Sequence, residues 1–189
     1  MTDTDSPAPD DGRYAPPKAV VADIPPADAQ PAYFPCGSLK FAALSVLTLN
    51  LYLFYWFYKN WKLVNARGEQ VWAPVRAFFY SLVSFSLFRR IETDCISHDV
   101  HLPPSPAGMG FAVFVLSALS RLPDPYWVGS FLAFLPVMPF LRSIDELNDR
   151  LSPGCDGNRR ISAANLVWMA IGAVFHTLIV YGLVVGDIE

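Results

Sequence analysis

The chain reads FAALSVLTLNLYLFYWFY over residues 41–58, which are 18 residues without a charged side chain. As an α-helix this stretch would measure about 27 Å, close to the hydrocarbon thickness of a bilayer. Its C-terminal half is crowded with Tyr, Phe and Trp and leads into Lys59 and Lys62. Aromatic rings followed by lysines are typical of the headgroup level of a membrane. The stretch therefore predicts a transmembrane helix.

A second apolar run, residues 77–88, is shorter. It is closed by Arg76 on one side and by Arg89 and Arg90 on the other. Twelve helical residues measure only about 18 Å, which is too short to cross a bilayer comfortably. We therefore expect a re-entrant or interfacial helix over 74–90.

Two further apolar segments flank a Pro-Asp-Pro turn signal at residues 123–125. They predict a hairpin of helices over 107–121 and 126–142. Pro136 and Pro139 should kink the second arm, because proline removes a backbone donor.

The last run, residues 163–185, contains 23 residues and no charge, so it is long enough to span a membrane. Composition agrees, since 53% of the chain is hydrophobic and only 16% is charged. The predicted fold class is an all-α polytopic membrane helix bundle with four spans plus a short re-entrant or fifth helix. This transmembrane domain covers residues 40–189, with helices at about 41–58, 74–90, 107–121, 126–142 and 163–185.

Residues 1–39 differ in composition. They hold eight of the 17 prolines and six acidic residues against Arg13 and Lys18. Such a segment buries too little apolar surface to offset the entropy of ordering it. We expect a disordered, acidic, Pro-rich N-terminal tail that lacks the features of a signal peptide and is retained.

Basic residues give the expected orientation, because basic loops stay cytoplasmic. If helix 74–90 is re-entrant, Lys40 and Arg121 lie outside with both termini, and ten other basic residues lie inside. An arrangement of five spans with the tail inside stays open, although it divides the basic residues less sharply. The ten are Lys59, Lys62, Arg67, Arg76, Arg89, Arg90, Arg142, Arg150, Arg159 and Arg160.

Three blocks of sequence carry a resemblance: LYLFYWFYKNWKL at 51–63, APVRAFFYSLVSFSLFRRI at 73–91 and FLRSIDELN at 140–148. With them, most of residues 45–185, without the tail, resemble a family of small uncharacterised bacterial multi-pass membrane proteins. The resemblance implies a location in the bacterial inner membrane and supplies no activity, cofactor or catalytic residue.

His176 is the ionisable residue inside a predicted span, and such residues carry function or bind a partner because burying them in hydrocarbon is costly. At helical spacing it shares a face with Asn165 and Gly172, and that face should point into the bundle. His176 could relay protons or bind substrate, with Asn50 as a partner. The favoured interpretation is a hydrogen bond that joins two helices.

Cys95, His98 and His101 have the spacing C-x2-H-x2-H, and thiolate and imidazole are good zinc ligands. Glu92, Asp94 and Asp99 lie among them without an obvious fourth ligand, so a solvated loop is the favoured interpretation. A charged run at 142–150 has i+3 and i+4 spacings that suit exposed ion pairs on a helix. Cys36, Cys95 and Cys155 form an odd set and imply no disulfide framework.

No catalytic or cofactor-binding motif occurs, and the net charge of −3 argues against nucleic-acid binding. We therefore expect a non-enzymatic protein with no cofactor, whose partners are the lipid bilayer and a membrane protein or a second copy. An envelope helper or interaction protein is the leading hypothesis. A small oligomeric transporter or channel, and a lipid-interacting protein that uses Arg76, Arg89 and Arg90, are the alternatives.

Overall fold

The structure is a computed structural model that describes residues 30–186, and within this range the chain folds into helices without a β-strand. Between the third and fourth α-helices lies a single residue, Phe79, and a segment of 3-10 helix precedes the sixth. The helices are α1 (Ser38–Leu47), α2 (Leu51–Ala66), α3 (Ala73–Phe78), α4 (Tyr80–Ser97), α5 (Pro106–Ala118), α6 (Met138–Leu151) and α7 (Ala163–Gly186).

The single helix predicted over 41–58 is wrong. α1 ends at Leu47, and the chain turns through Leu49 and Asn50, whose φ angles of 53° and 64° lie in the left-handed region. Two consecutive residues in that region cannot continue a right-handed helix. The side-chain amide of Asn50 donates to the Ser130 carbonyl at 2.9 Å, which holds the turn against the 3-10 helix that precedes α6.

α1 and α2 form a hairpin that enters and leaves the bundle on the same side. Lys40 near the start of α1 and Lys59 in the middle of α2 line one cavity, although residues 41–58 separate them. At the turn, Leu47 packs directly against Gly172, in the middle of α7. The segment that doubles back in this fold is therefore the α1–α2 hairpin, which was predicted as a single membrane span.

The prediction that the disordered tail extends to residue 39 is wrong at its C-terminal end. Its first 29 residues lie outside the described range, but Tyr33 and Cys36 are fully buried. The Asn148 side chain accepts from the Tyr33 backbone amide at 3.1 Å and donates to the Tyr33 carbonyl at 2.8 Å. Residues 30–37 are therefore hydrogen-bonded to both α2 and α6, and we call this segment the N-terminal strap.

The helix predicted over 74–90 is also divided. α3 begins with Pro74 in its first turn and ends at Phe78, while α4 continues past residue 90 to Ser97. The ring of Phe88 on α4 stacks on Phe140 of α6, with the ring centroids 4.1 Å apart. This stack joins α4 to the centre of an aromatic core that also contains Trp56 and Trp61 of α2.

The hairpin around residues 123–125 has unequal arms. The first arm is α5 followed by a 3-10 turn at Leu119–Arg121, and Ser105 caps its start by accepting from the Gly108 amide. The second arm is a 3-10 helix over Tyr126–Val137 that becomes α6, where a continuous α-helix over 126–142 was predicted. Pro136, which lacks a backbone donor, lies just before this change of helix type.

Among residues 30–186, two helical segments are long and apolar enough to cross a membrane, Tyr126–Leu151 and Ala163–Gly182. They differ in environment: half of the most apolar part of the first is buried, whereas that part of the second, which belongs to α7, is almost entirely exposed. The predicted helix over 163–185 corresponds to α7. A bundle of four spans is not established by this architecture.

Candidate functional site

A half-open cavity of about 660 Å³ lies between the N-terminal strap, the α1–α2 hairpin and the start of α7. The loop that joins α6 to α7 closes one side of it. Three cationic side chains and one carboxylate line this space together with aromatic and aliphatic groups. We call it the basic cavity, and its charged residues are Lys40, Lys59, Arg160 and Asp156.

Lys40 is the most buried of these cations, with 6% of its surface exposed. Its Nζ donates to Asn158 Oδ1 at 2.7 Å and to the carbonyls of Asn158 and Arg160 at 3.2 and 2.8 Å. All three acceptors are neutral oxygens. The ammonium group is therefore fully hydrogen-bonded, but these partners do not neutralise its charge.

Lys59 reaches the cavity from α2. Its Nζ lies 5.6 Å from the centre of the Phe34 ring and 5.8 Å from the centre of the Tyr55 ring. Both distances allow a cation–π attraction, which holds the ammonium at the wall of the cavity. The two rings pack edge to face, with centroids 5.8 Å apart.

The charges that line the basic cavity do not balance. Within residues 30–186, the carboxylates that form ion pairs do so with Arg67, Arg90, Arg142 and Arg159, and none does so with the three cations of the cavity. Asp156 accepts from the backbone amide of Asn158 at 3.0 Å, which turns the loop. The cavity thus carries an excess of positive charge that is open to an anion.

The apolar wall of the cavity continues onto the outer surface of the bundle. Leu51 and Trp168 line the cavity and are still 63% and 55% exposed. Tyr52, on the inner side, lies 3.2 Å from the Cys36 sulfur through its hydroxyl. A molecule in the cavity could therefore touch cations at one end and the exposed side of α7 at the other.

Asn165, Gly172 and His176 lie on the side of α7 that contacts the rest of the protein. Gly172 is buried against Leu47, and Asn165 lines the basic cavity. His176 Nδ1 donates to the Gly172 carbonyl at 2.9 Å, and its ring lies 5.7 Å from that of Phe131. The hypothesised partner Asn50 donates to Ser130, and His176 bonds within its own helix.

Cys95, His98 and His101 are not brought together as a metal site. Cys95 is buried within α4, and His98, at the end of that helix, places Nδ1 2.8 Å from the Asp94 carbonyl. The backbone amide of His101 donates to Glu146 at 3.3 Å. In the described part of the chain, no group of three or more His, Cys, Asp or Glu side chains is placed to hold a metal ion. The sequence had favoured a solvated loop here, but Cys95 is core.

A polar cluster ties the N-terminal strap to α4. The Tyr33 hydroxyl donates to Asp94 Oδ2 at 2.7 Å, and Arg67 donates to the same oxygen at 3.1 Å while stacking on the Tyr33 ring. Burial raises the pKa of Tyr33 above its ordinary range, so its hydroxyl keeps the proton that it donates. This cluster is satisfied internally and positions the strap.

The arginines proposed from the sequence to hold lipid headgroups have other partners. Arg90 forms a two-pronged ion pair with Glu69, and Arg76 stacks on Trp61 at 4.4 Å. Arg89 is exposed. On α6, Arg142 pairs with Glu146 at 3.0 Å, as the i+4 spacing predicted.

Sequence reasoning missed the basic cavity because its cations lie in three separate places along the chain. Lys40 and Lys59 were interpreted as the two flanks of one span and Arg160 as a loop residue on the opposite side from Lys40. The signal that was present is Asn50, a residue that accepts a left-handed conformation, in the middle of the apolar run. An internal turn there brings both lysines to one side.

Searches among known protein families, curated proteins and solved structures find no match to this chain.

Proposed function

We propose that the chain is an integral protein of the bacterial inner membrane that acts as an envelope helper or interaction protein and not as an enzyme. The observation that carries the membrane assignment is α7, whose 24 residues include no charged side chain and whose apolar side chains between residues 163 and 182 are almost all exposed. At about 1.5 Å per residue it is about 36 Å long, enough to cross a bilayer with some tilt.

The basic residues support one orientation. Lys40, previously counted outside, is bonded to the Arg160 carbonyl and so joins the ten basic residues of the expected cytoplasmic side. Arg121, at the tip of the hairpin that follows α5, is the basic residue left opposite them. The proposal is thus a cytoplasmic strap and a periplasmic hairpin tip, consistent with the positive-inside rule.

Three crossings replace the four expected from the sequence. They are α5 with its 3-10 turn, the segment Tyr126–Leu151 and α7, while the α1–α2 hairpin enters from the cytoplasmic side and returns. The 3-10 helix helps the second crossing, since it rises about 2.0 Å per residue compared with 1.5 Å in an α-helix. Its 12 residues therefore cover about 24 Å before α6 begins.

The first experiment is labelling with a membrane-impermeant maleimide in intact and permeabilised spheroplasts. The variants are Ser38→Cys, at the exposed start of α1, and Leu122→Cys, in the hairpin tip, with the native cysteines replaced by alanine. We expect Leu122→Cys to label in intact spheroplasts and Ser38→Cys only after permeabilisation. Labelling of both positions from the same side would contradict the crossing by α5. Release of the protein from membranes by alkaline carbonate would contradict membrane insertion altogether.

The helper role has its own test. Tagged protein purified in a mild detergent should carry a second polypeptide, or a second copy of itself, at a fixed ratio in native mass spectrometry. Repeated recovery of the single chain, at expression levels matched to the native gene, would contradict the interaction role without affecting the membrane assignment.

A further inference from the structure

We propose that the basic cavity binds an anionic phospholipid, with the phosphate group between Lys40, Lys59 and Arg160 and an acyl chain leaving along α7. The inference rests on the proposed membrane insertion and names a ligand that this insertion would make abundant. It assigns binding to residues other than the arginines of α3 and α4.

The charges around Lys40 favour an anionic ligand. An ammonium group buried as deeply as Lys40 is stable when an opposite charge compensates it, and its three acceptors here are neutral. Lys59 and Arg160 add two more cations around the same space, against Asp156 alone. A phosphate diester would supply the missing negative charge beside Lys40, whose three donors are already used, and strong acceptor oxygens for Lys59 and Arg160.

The shape of the basic cavity suits an amphiphilic ligand. The cavity of about 660 Å³ is within the range of small-molecule sites, and it is open on one side. Its open side borders Leu51 and Trp168, which belong to the exposed apolar surface that would face lipid. Deeper along α7, the close contact of Gly172 with the Leu47 carbonyl joins α1 to α7. An amphiphile with its head at the cations therefore directs its chain sideways into the bilayer.

The test is native mass spectrometry of the purified full-length chain in mild detergent, titrated with phosphatidylglycerol or with phosphatidylcholine of the same acyl chains. We expect tighter binding of phosphatidylglycerol. Lys59→Gln and Arg160→Gln should each weaken it about fivefold, and together about thirtyfold. Both side chains lie at the cavity wall, and Arg160→Gln keeps the carbonyl that binds Lys40.

Lys62→Gln is the matched control, because Lys62 is an exposed lysine one turn further along α2 and does not line the cavity. It should bind phosphatidylglycerol as the unmodified chain does. Equal loss in Lys62→Gln and Lys59→Gln would overturn the proposal in favour of a diffuse charge effect. Equal binding of the two lipids by the unmodified chain would also overturn it. The melting temperature of each variant, measured in the same detergent, separates lost binding from lost folding.

Competition identifies the source of the phosphate. Millimolar inorganic phosphate or glycerol 3-phosphate should displace the lipid poorly, because neither has an acyl chain. Displacement by inorganic phosphate at the lipid's own concentration would overturn the lipid assignment and indicate a soluble ligand. If the chain proves extractable by carbonate, the proposed function fails, whereas a membrane-embedded chain without lipid preference fails only this inference.

Discussion

Residues 41–58 and residues 163–186 are both apolar and free of charged side chains, yet the first folds as a hairpin and the second as one straight helix. One side of the hairpin is turned inward, where Phe41, Leu53 and Trp56 are fully buried. The side chains of α7 are turned outward along most of its length. Hydropathy alone does not distinguish the two, because a protein core and a bilayer are both apolar surroundings.

The difference lies in what each run offers for hydrogen bonding. The first run contains Ser45, Thr48 and Asn50 close together, and Thr48 donates to the Leu44 carbonyl and accepts from the Tyr52 amide. The Thr48 hydroxyl thereby satisfies backbone groups on both sides of the turn. In α7, His176 and Thr177 bond to the carbonyls of Gly172 and Ala173, four residues earlier in the same helix, so these side chains do not interrupt it.

The contact between the two runs gives the strongest test. Gly172→Ala would drive a Cβ into the Leu47 carbonyl oxygen, a backbone atom that cannot move aside alone. We expect α1 to be pushed away from α7, at a cost of about 3 kcal/mol in the free energy of unfolding. Thermal unfolding in detergent, followed by circular dichroism, would measure it.

Gly182→Ala on the same helix is the control, since a Cβ there meets no atom within 4 Å. It should leave stability unchanged or raise it by up to about 1 kcal/mol, because alanine favours a helix over glycine. Equal melting temperatures for the two variants would mean that α1 does not pack on α7 at Gly172.

The next largest loss of stability is expected when the N-terminal strap is released. Asn148→Ala removes both hydrogen bonds to the Tyr33 backbone and leaves two polar groups without partners, which we expect to cost about 2 kcal/mol. Hydrogen exchange of the Tyr33 amide should become much faster. Asp149→Ala, at the exposed neighbouring residue, should not change that exchange rate. Unchanged protection in Asn148→Ala would show that other contacts hold the strap.

The turn within the hairpin can be tested by conformation alone. Asn50→Val should cost about 1 to 2 kcal/mol, because a β-branched residue disfavours a positive φ angle and the bond to Ser130 is lost. Asn50→Gly loses the same bond but accepts the left-handed conformation, so it should unfold at a higher temperature than Asn50→Val. The opposite order would indicate that residues 48–50 are helical.

The smallest effect is expected outside both runs. Arg142→Ala breaks the ion pair with Glu146, but the Arg142 side chain is 74% exposed. Exposed pairs of this kind contribute less than about 0.5 kcal/mol. A melting temperature that falls as far as in Asn148→Ala would mean that Arg142 is buried by a partner.

Much of the helical architecture could be predicted from periodicity, apolar length and proline. The all-helical class and the turn at 123–125 follow from such local signals. What could not be predicted depends on partners far along the chain. Nothing local shows that Tyr33 will bond to Asn148, or that Leu49 will adopt a left-handed conformation, which leucine disfavours.

The basic cavity is a case of the same limit. Lys59 beside Tyr55 is a neighbouring pair on one helix and could be foreseen, whereas Lys40 beside Asn158 joins residues separated by 118 positions. A lysine next to an apolar run can be accommodated in two places: at the membrane interface, or in a buried site where oxygen atoms accept its hydrogen bonds. Only the fold chooses between them.

The bonding of Lys40 also orders events during synthesis. Its acceptors at Asn158 and Arg160 leave the ribosome 118 and 120 residues later, which is roughly 6 to 24 seconds at ordinary translation rates. Until then the hairpin has neither the ligands for its ammonium group nor α7 to pack against. The hairpin therefore docks only after residue 160 has emerged, and a ribosome stalled before residue 158 would hold a nascent chain whose first hydrophobic segment has not yet docked.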